Sequence, residues 1–150
     1  KIAEVLNYLP RKAEGDWYNA AGQWFLSQEI ENGVLVNEDV PDFVGQGNEK
    51  IEVLEKSLRM DYLKIRVDSE RPVPVLIKMT AFPNWKAYQN GVPLKIYRAS
   101  PHLMLVYGFG DIELRYEHLP VDLAGYLLSA AGAMLFALLC LGELRKKQAF

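Results

Sequence analysis

Apolar and polar side chains alternate with a period of two through most of the stretch from Arg59 to His118. Leu63, Ile65 and Val67 alternate with Lys64, Arg66 and Asp68, as they do when one face of a strand packs and the other is wet. Val73, Val75, Ile77 and Met79 repeat the pattern. Val92, Leu94 and Ile96 alternate with Lys95 and Tyr97, and Ile112, Leu114 and Tyr116 alternate with Asp111, Glu113, Arg115 and Glu117. Between these last two runs, His102 to Tyr107 is apolar on both faces, which predicts an inner strand. Breakers separate the runs at Ser69 to Pro72, Pro83, Asn90-Gly91, Ser100-Pro101 and Gly108-Phe109-Gly110. Short strands at this spacing predict a mainly β fold, with an antiparallel β-sandwich-like domain over residues 59–118.

Residues 1–58 carry mixed signals and are expected to form a helix and loop segment packed on that sandwich. Asp16 is placed to cap a helix whose apolar positions Trp17, Ala21, Trp24 and Phe25 follow helical spacing, with Asn32-Gly33 as its stop. A short strand is expected from Val34 to Val36. The turn-rich segment Pro41 to Lys50 reads as a surface loop. Its Gly45-Gln46-Gly47 is a turn and not a phosphate cradle, because no third glycine or Lys-Ser/Thr follows where those motifs need one.

The pattern changes once more near the C-terminus. The run LAGYLLSAAGAMLFALLCLG, from Leu123 to Gly142, holds no charged side chain, and Arg145, Lys146 and Lys147 follow closely. At about 1.5 Å of rise per residue such a run spans roughly the 30 Å hydrocarbon core of a bilayer. It predicts a single C-terminal transmembrane helix over 121–142, the alternative being a buried core helix, which would normally be shorter and keep a polar stripe. Asp122 precedes the run, where a carboxylate meets the exposed N–H groups and the positive end of the helix dipole. Tyr126 lies one turn inside, suited to the interfacial aromatic belt. The basic cluster orients the helix by the positive-inside rule: residues 143–150 are expected as a cytoplasmic tail and residues 1–118, the bulk of the chain, as extracytoplasmic at a cell membrane. Gly125, Ser129 and Ala133 form a small-residue row with Gly132 beside it, so other transmembrane helices are expected as neighbours. Only Leu119 and Pro120 separate His118 from the membrane-entry segment, so the β domain is expected directly on the outer leaflet.

Charge and cysteine usage narrow the function classes. The chain has 17 Lys+Arg against 19 Asp+Glu, and the part ahead of the basic tail is mildly acidic. No nucleic-acid partner is expected, since phosphate binding needs clustered positive charge. The one cysteine, Cys140, lies in the apolar run, so no intramolecular disulfide framework is available. Because the chain starts at Lys1 and its first segment is too charged for a signal peptide, earlier membrane spans are expected upstream.

The stretch from Pro74 to Leu139 adds a resemblance. Val-Leu-Ile-Lys at 75–78 precedes Phe-Pro-Asn-Trp-Lys-Ala at 82–87, then Asn90-Gly91 and a hairpin return Pro-Leu-Lys-Ile-Tyr-Arg at 93–98. A further apolar strand follows, then a charged strand ending in Leu-Arg-Tyr at 114–116 and a final helix with glycines. This block resembles the C-terminal end of YfhO-type polytopic prokaryotic membrane proteins. These are similar to GT-C glycosyltransferases and include those described as 6-pyruvoyl-tetrahydropterin synthase-related membrane proteins. The resemblance implies a small outer β domain before the last span of a protein acting in cell-surface glycan assembly. It implies no catalytic residue here, since the family's catalytic acids are expected near the start of the polypeptide.

The residues themselves name no chemistry of that kind either. His102 and His118 are isolated, and no Cys-x-x-Cys, His-Glu-x-x-His or calcium-loop spacing occurs, so neither a metal nor a cofactor is expected. Glu113 and Glu117 fall on the wet face of a strand, where charges keep a sheet soluble. No Gly-x-Ser-x-Gly is present, and Cys140 lies away from any base. Glycan or lipid-linked sugar binding remains as the candidate role, through Trp17, Trp24, Trp85 and Tyr88 with Asn84, Lys86 and Gln89 as hydrogen-bonding neighbours. Each aromatic also has a structural role open to it: Trp85 in the sandwich, Trp17 and Trp24 as a packed helix face. Two functions therefore stand at this point, the non-catalytic outer part of a glycosyltransferase-like membrane protein and an anchored, non-enzymatic ectodomain that binds glycan or a protein partner.

Overall fold

A computed structural model describes residues 1–27, 33–57 and 61–148, the side chains of Lys56 and of residues 140–148 excepted. It divides into two units, Lys1–Tyr116 and Glu117–Phe150.

The first unit is mostly β. Its strands are β1 (Ala3–Val5), β2 (Arg11–Lys12), β3 (Leu35–Val36), β4 (Ile51–Lys56), β5 (Tyr62–Val67), β6 (Val73–Thr80), β7 (Trp85–Gln89), β8 (Val92–Leu94), β9 (Ile96–Ala99), β10 (Leu103–Gly108) and β11 (Gly110–Tyr116). Among the described residues they form a six-stranded sheet in the order β1-β6-β10-β9-β3-β2 and a five-stranded sheet in the order β4-β5-β11-β7-β8. All pairings are antiparallel except β2 with β3. Alternation does its work on both sheets. Val73, Val75, Ile77, Met104 and Val106 of the first share one hydrophobic cluster with Leu63, Ile65, Val67, Ile112 and Leu114 of the second. The opposite face of the six-stranded sheet carries a second cluster, in which Leu76, Tyr97, Ala99, Leu105 and Tyr107 meet Leu6, Val34 and Val36. β10 lies between β6 and β9 and contributes to both clusters, as an inner strand apolar on both faces must.

Two expectations needed correction. Beside the helix and the short strand expected at Val34 to Val36, seen as β3, the first 58 residues contribute β1, β2 and β4 to the two sheets, where only loop was expected. β1 and β2 are two or three residues long, too short to establish a period, and β4 shifts register between Val53 and Glu55. The run Val92 to Tyr97, expected as one strand, is two: β8 edges the five-stranded sheet, and the chain then crosses at Lys95 into β9 of the other. Tyr97, counted on the polar side, is consequently buried, its ring edge-on to Tyr107 at 5.8 Å.

Local signals read from the sequence also appear. The helix α1 spans Trp17–Leu26, and Asp16 caps it by accepting from the Asn19 N–H at 3.0 Å. Its C-cap is Ser27, whose N–H donates to the Gln23 carbonyl at 2.8 Å, while Asn32 of the expected stop lies outside the described residues. Asn90 and Gly91 take φ of 51° and 79°, the two positive angles of the tight turn joining β7 to β8. In the 41–50 loop the Glu49 carboxylate accepts from the Gln46 and Gly47 N–H groups, which holds its pKa below the usual range.

The second unit is the helix α2, Pro120–Gln148. Its 29 residues extend about 43 Å at 1.5 Å per residue, so the helix continues beyond the apolar run into the segment expected as a separate tail. Over Pro120–Leu139 it is long and apolar enough to cross a membrane, and none of that window is buried. Pro120 takes the first helical position, where its missing N–H costs nothing. Asp122 acts from inside the first turn, accepting from the Leu119 N–H at 2.7 Å, the back-reaching half of a capping box.

Candidate functional site

The outer face of the five-stranded sheet is built by the polar half of each alternation. Cross-strand register sets Arg66 opposite Asp111 and Lys64 opposite Glu113. Arg66 grips Asp111 with two hydrogen bonds, Nε to Oδ1 at 2.6 Å and Nη2 to Oδ2 at 3.0 Å. Glu113 receives Arg115 Nη2 at 2.6 Å and Lys64 Nζ at 3.3 Å. The Arg66 hydrogen bond holds the Asp111 carboxyl below its ordinary range, and the Arg115 hydrogen bond does the same for Glu113. Glu113 thus belongs to a ladder of compensated charge. Among the described residues no three of His, Cys, Asp and Glu gather to hold a metal.

β7 continues this face. Trp85 and Ala87 point to the core and Lys86 and Tyr88 away from it, so adjacent residues serve opposite purposes. Trp85 is 5% exposed and packs edge-on against Tyr116, ring centroids 5.4 Å apart. Tyr88 lies under the Arg115 guanidinium at 5.2 Å. Lys86 is exposed, its amine 3.3 Å from the Pro83 carbonyl. Asn84 is half-buried in the turn before the strand.

The expected sugar-binding set therefore separates. Trp24 is 6% exposed and spends its indole N–H on the Gly33 carbonyl at 2.8 Å, as a packed helix residue does. Trp17 is half-buried, its indole nitrogen without a partner among the described residues. Trp85, Lys86 and Tyr88 come together along a groove of about 320 Å³ that also takes in Phe82, Pro93 and Arg98. Trp17, Trp24, Asn84 and Gln89 do not line it. A second hollow of about 470 Å³, on Met79, Phe82, Trp85, Leu103 and Tyr116, is more apolar and shares Phe82 and Trp85 with the first. Arg98 carried no signal along the chain, because it is brought to β7 by the crossing at Lys95, which pairing decides and local pattern does not.

On α2, Tyr126 is exposed and its ring stands 6.0 Å from that of His118 at 77°, an aromatic pair at the helix entry. Gly125, Ser129 and Ala133 recur at intervals of four, and the Ser129 hydroxyl is turned back onto the Gly125 carbonyl at 2.9 Å, which keeps that row small and apolar. Among the described residues, and apart from the helix's own backbone and the chain neighbours, nothing lies within 4 Å of where a Cβ on Gly125 or Gly132 would stand. The side chains of Arg145, Lys146 and Lys147 lie outside the described ones. Comparison of the chain with family models, curated proteins and solved structures found no match.

Proposed function

We propose that this chain is a non-catalytic outer β-sandwich module with the closing span of an integral membrane protein, of the polytopic, GT-C-like prokaryotic kind that residues 74–139 resemble. One observation carries the reading: an apolar helical window from Pro120 to Leu139 with no buried residue, which water does not tolerate and lipid does. The joint hydrophobic cluster of the two sheets supports the sandwich, and the basic residues after the apolar run support a cytoplasmic C-terminus with the β unit outside. The Gly125, Ser129, Ala133 row supports packing against further helices, so the function assigned is to close a helix bundle and cover its outer face. A second reading, an anchored ectodomain that binds glycan, is favoured by the groove on Lys86 and Tyr88.

Two experiments test this. In a Cys140→Ser background, a membrane-impermeant maleimide applied to intact cells is expected to label Val92→Cys and to spare Lys147→Cys. The reverse pattern refutes the orientation. This segment expressed alone is expected to transfer no sugar from a polyprenyl-phosphate donor, and an encoding gene without further spans refutes the polytopic reading.

A further inference from the structure

The strand cations of the β unit are, as a rule, matched. Lys12 sits on Asp39 at 2.7 Å, Lys78 on Glu4 at 2.7 Å, Lys95 on Glu38 at 2.6 Å, and Lys64, Arg66 and Arg115 share Asp111 and Glu113. Lys86 and Arg98 break the rule. Both are exposed, neither has a carboxylate partner among the described residues, and both line the same groove, from which Asp and Glu are absent. They come from different sheets, Lys86 from β7 and Arg98 from β9, and line one groove because the chain changes sheets at Lys95. In a chain of net charge −2, two unmatched cations converging on one hollow are a local reversal of sign. Beside them stand Tyr88 and Phe82, the latter 55% exposed, with Pro93 completing the wall. Flat apolar faces next to fixed cations suit a ring that carries negative charge, and the volume falls within the span of about 300–1,000 Å³ usual for small-molecule clefts.

We propose that this groove binds an anionic sugar, a carboxylated glycan whose acid group is held between Lys86 and Arg98 while its ring rests on Phe82 and on the face of Tyr88 that Arg115 does not cover. It rests on the glycan-binding reading of this groove given above and not on the membrane assignment, since every residue in it belongs to the β unit.

Isothermal titration of the detergent-solubilised full chain with tetragalacturonate, at low salt and pH 7, tests it. Saturable binding is expected, weakened at least tenfold by Lys86→Gln and by Arg98→Gln. Lys12→Gln, which removes the same charge from an ion pair outside the groove, is expected to leave the affinity within twofold. Maltotetraose, neutral and of equal length, is expected to bind at least tenfold more weakly, and 0.5 M NaCl to weaken tetragalacturonate several-fold. These last two arms need no variant and hold whether or not a substitution disturbs folding. Absence of binding, equal affinity for maltotetraose, or an equal loss in Lys12→Gln overturns the proposal, as does inorganic phosphate binding as tightly as the oligomer.

Discussion

Replacing Leu128 by Arg tests the physical basis of the membrane reading. Leu128 is 77% exposed and lies beside the midpoint of the Pro120–Leu139 window, about 2 Å along the axis from it at 1.5 Å per residue. At the centre of a span a leucine contributes roughly −0.5 kcal/mol to insertion and an arginine costs roughly 3 kcal/mol, so the exchange costs about 3.5 kcal/mol. The window's apolar contribution from Leu123, Leu127, Leu128, Leu135, Phe136, Leu138 and Leu139 sums to about −3.5 kcal/mol on the same scale. One central arginine therefore cancels it, shifting the insertion equilibrium by roughly 300-fold. Val121→Arg, at the window's edge where a long side chain reaches the headgroups, is expected to cost under about 1 kcal/mol. The assay is the fraction resisting alkaline carbonate extraction, near complete for the natural chain and Val121→Arg and largely lost for Leu128→Arg. Equal behaviour of the two variants, or a natural chain that stays in solution without detergent, would refute the reasoning.

The β unit offers three further outcomes. Trp85→Ala removes a core indole and its edge-on contact with Tyr116, so it is expected to cost about 3–5 kcal/mol by urea unfolding, whereas Tyr88→Ala on the wet side of the same strand should cost less than about 1 kcal/mol. The Tyr107 hydroxyl is buried without a hydrogen-bond partner among the described residues, and desolvation pushes its pKa up to about 12. Tyr107→Phe is accordingly expected to stabilise by about 1 kcal/mol, and a net loss would mean that the hydroxyl is satisfied in solution. Asp111 and Glu113 have depressed folded pKa values, so their contribution is complete above the unfolded values near about 4 and is lost as pH falls through the folded ones. Urea titrations over roughly pH 5 to 2 should show a shallower fall in stability for Asp111→Asn than for the natural chain, and an unchanged slope counts against the ladder.

What the sequence by itself determined are the features whose cause is local. The alternation around Leu63 to Val67 and Ile112 to Tyr116 assigns core and wet faces because pleating does so residue by residue. Asn90-Gly91 announces its turn because the positive φ angles belong to those residues alone. The run from Leu123 to Gly142 declares a helix that lipid accepts, because its length and apolarity need no partner to be read. Tertiary structure decided whatever depends on which strand finds which. β1 and β2 are too short to carry a pattern and exist because β6 and β3 supply their hydrogen bonds. The apolar character of Trp85 is plain along the chain, but its place in the core, one residue from the solvent-facing Lys86, follows from pairing with β11. The groove stands furthest from the sequence. Arg98 lines the groove with Lys86 and Tyr88 only because one apparently continuous strand divides at Lys95 between two sheets, a choice made by the burial of Tyr97 and Ala99 against β10 and not by any spacing.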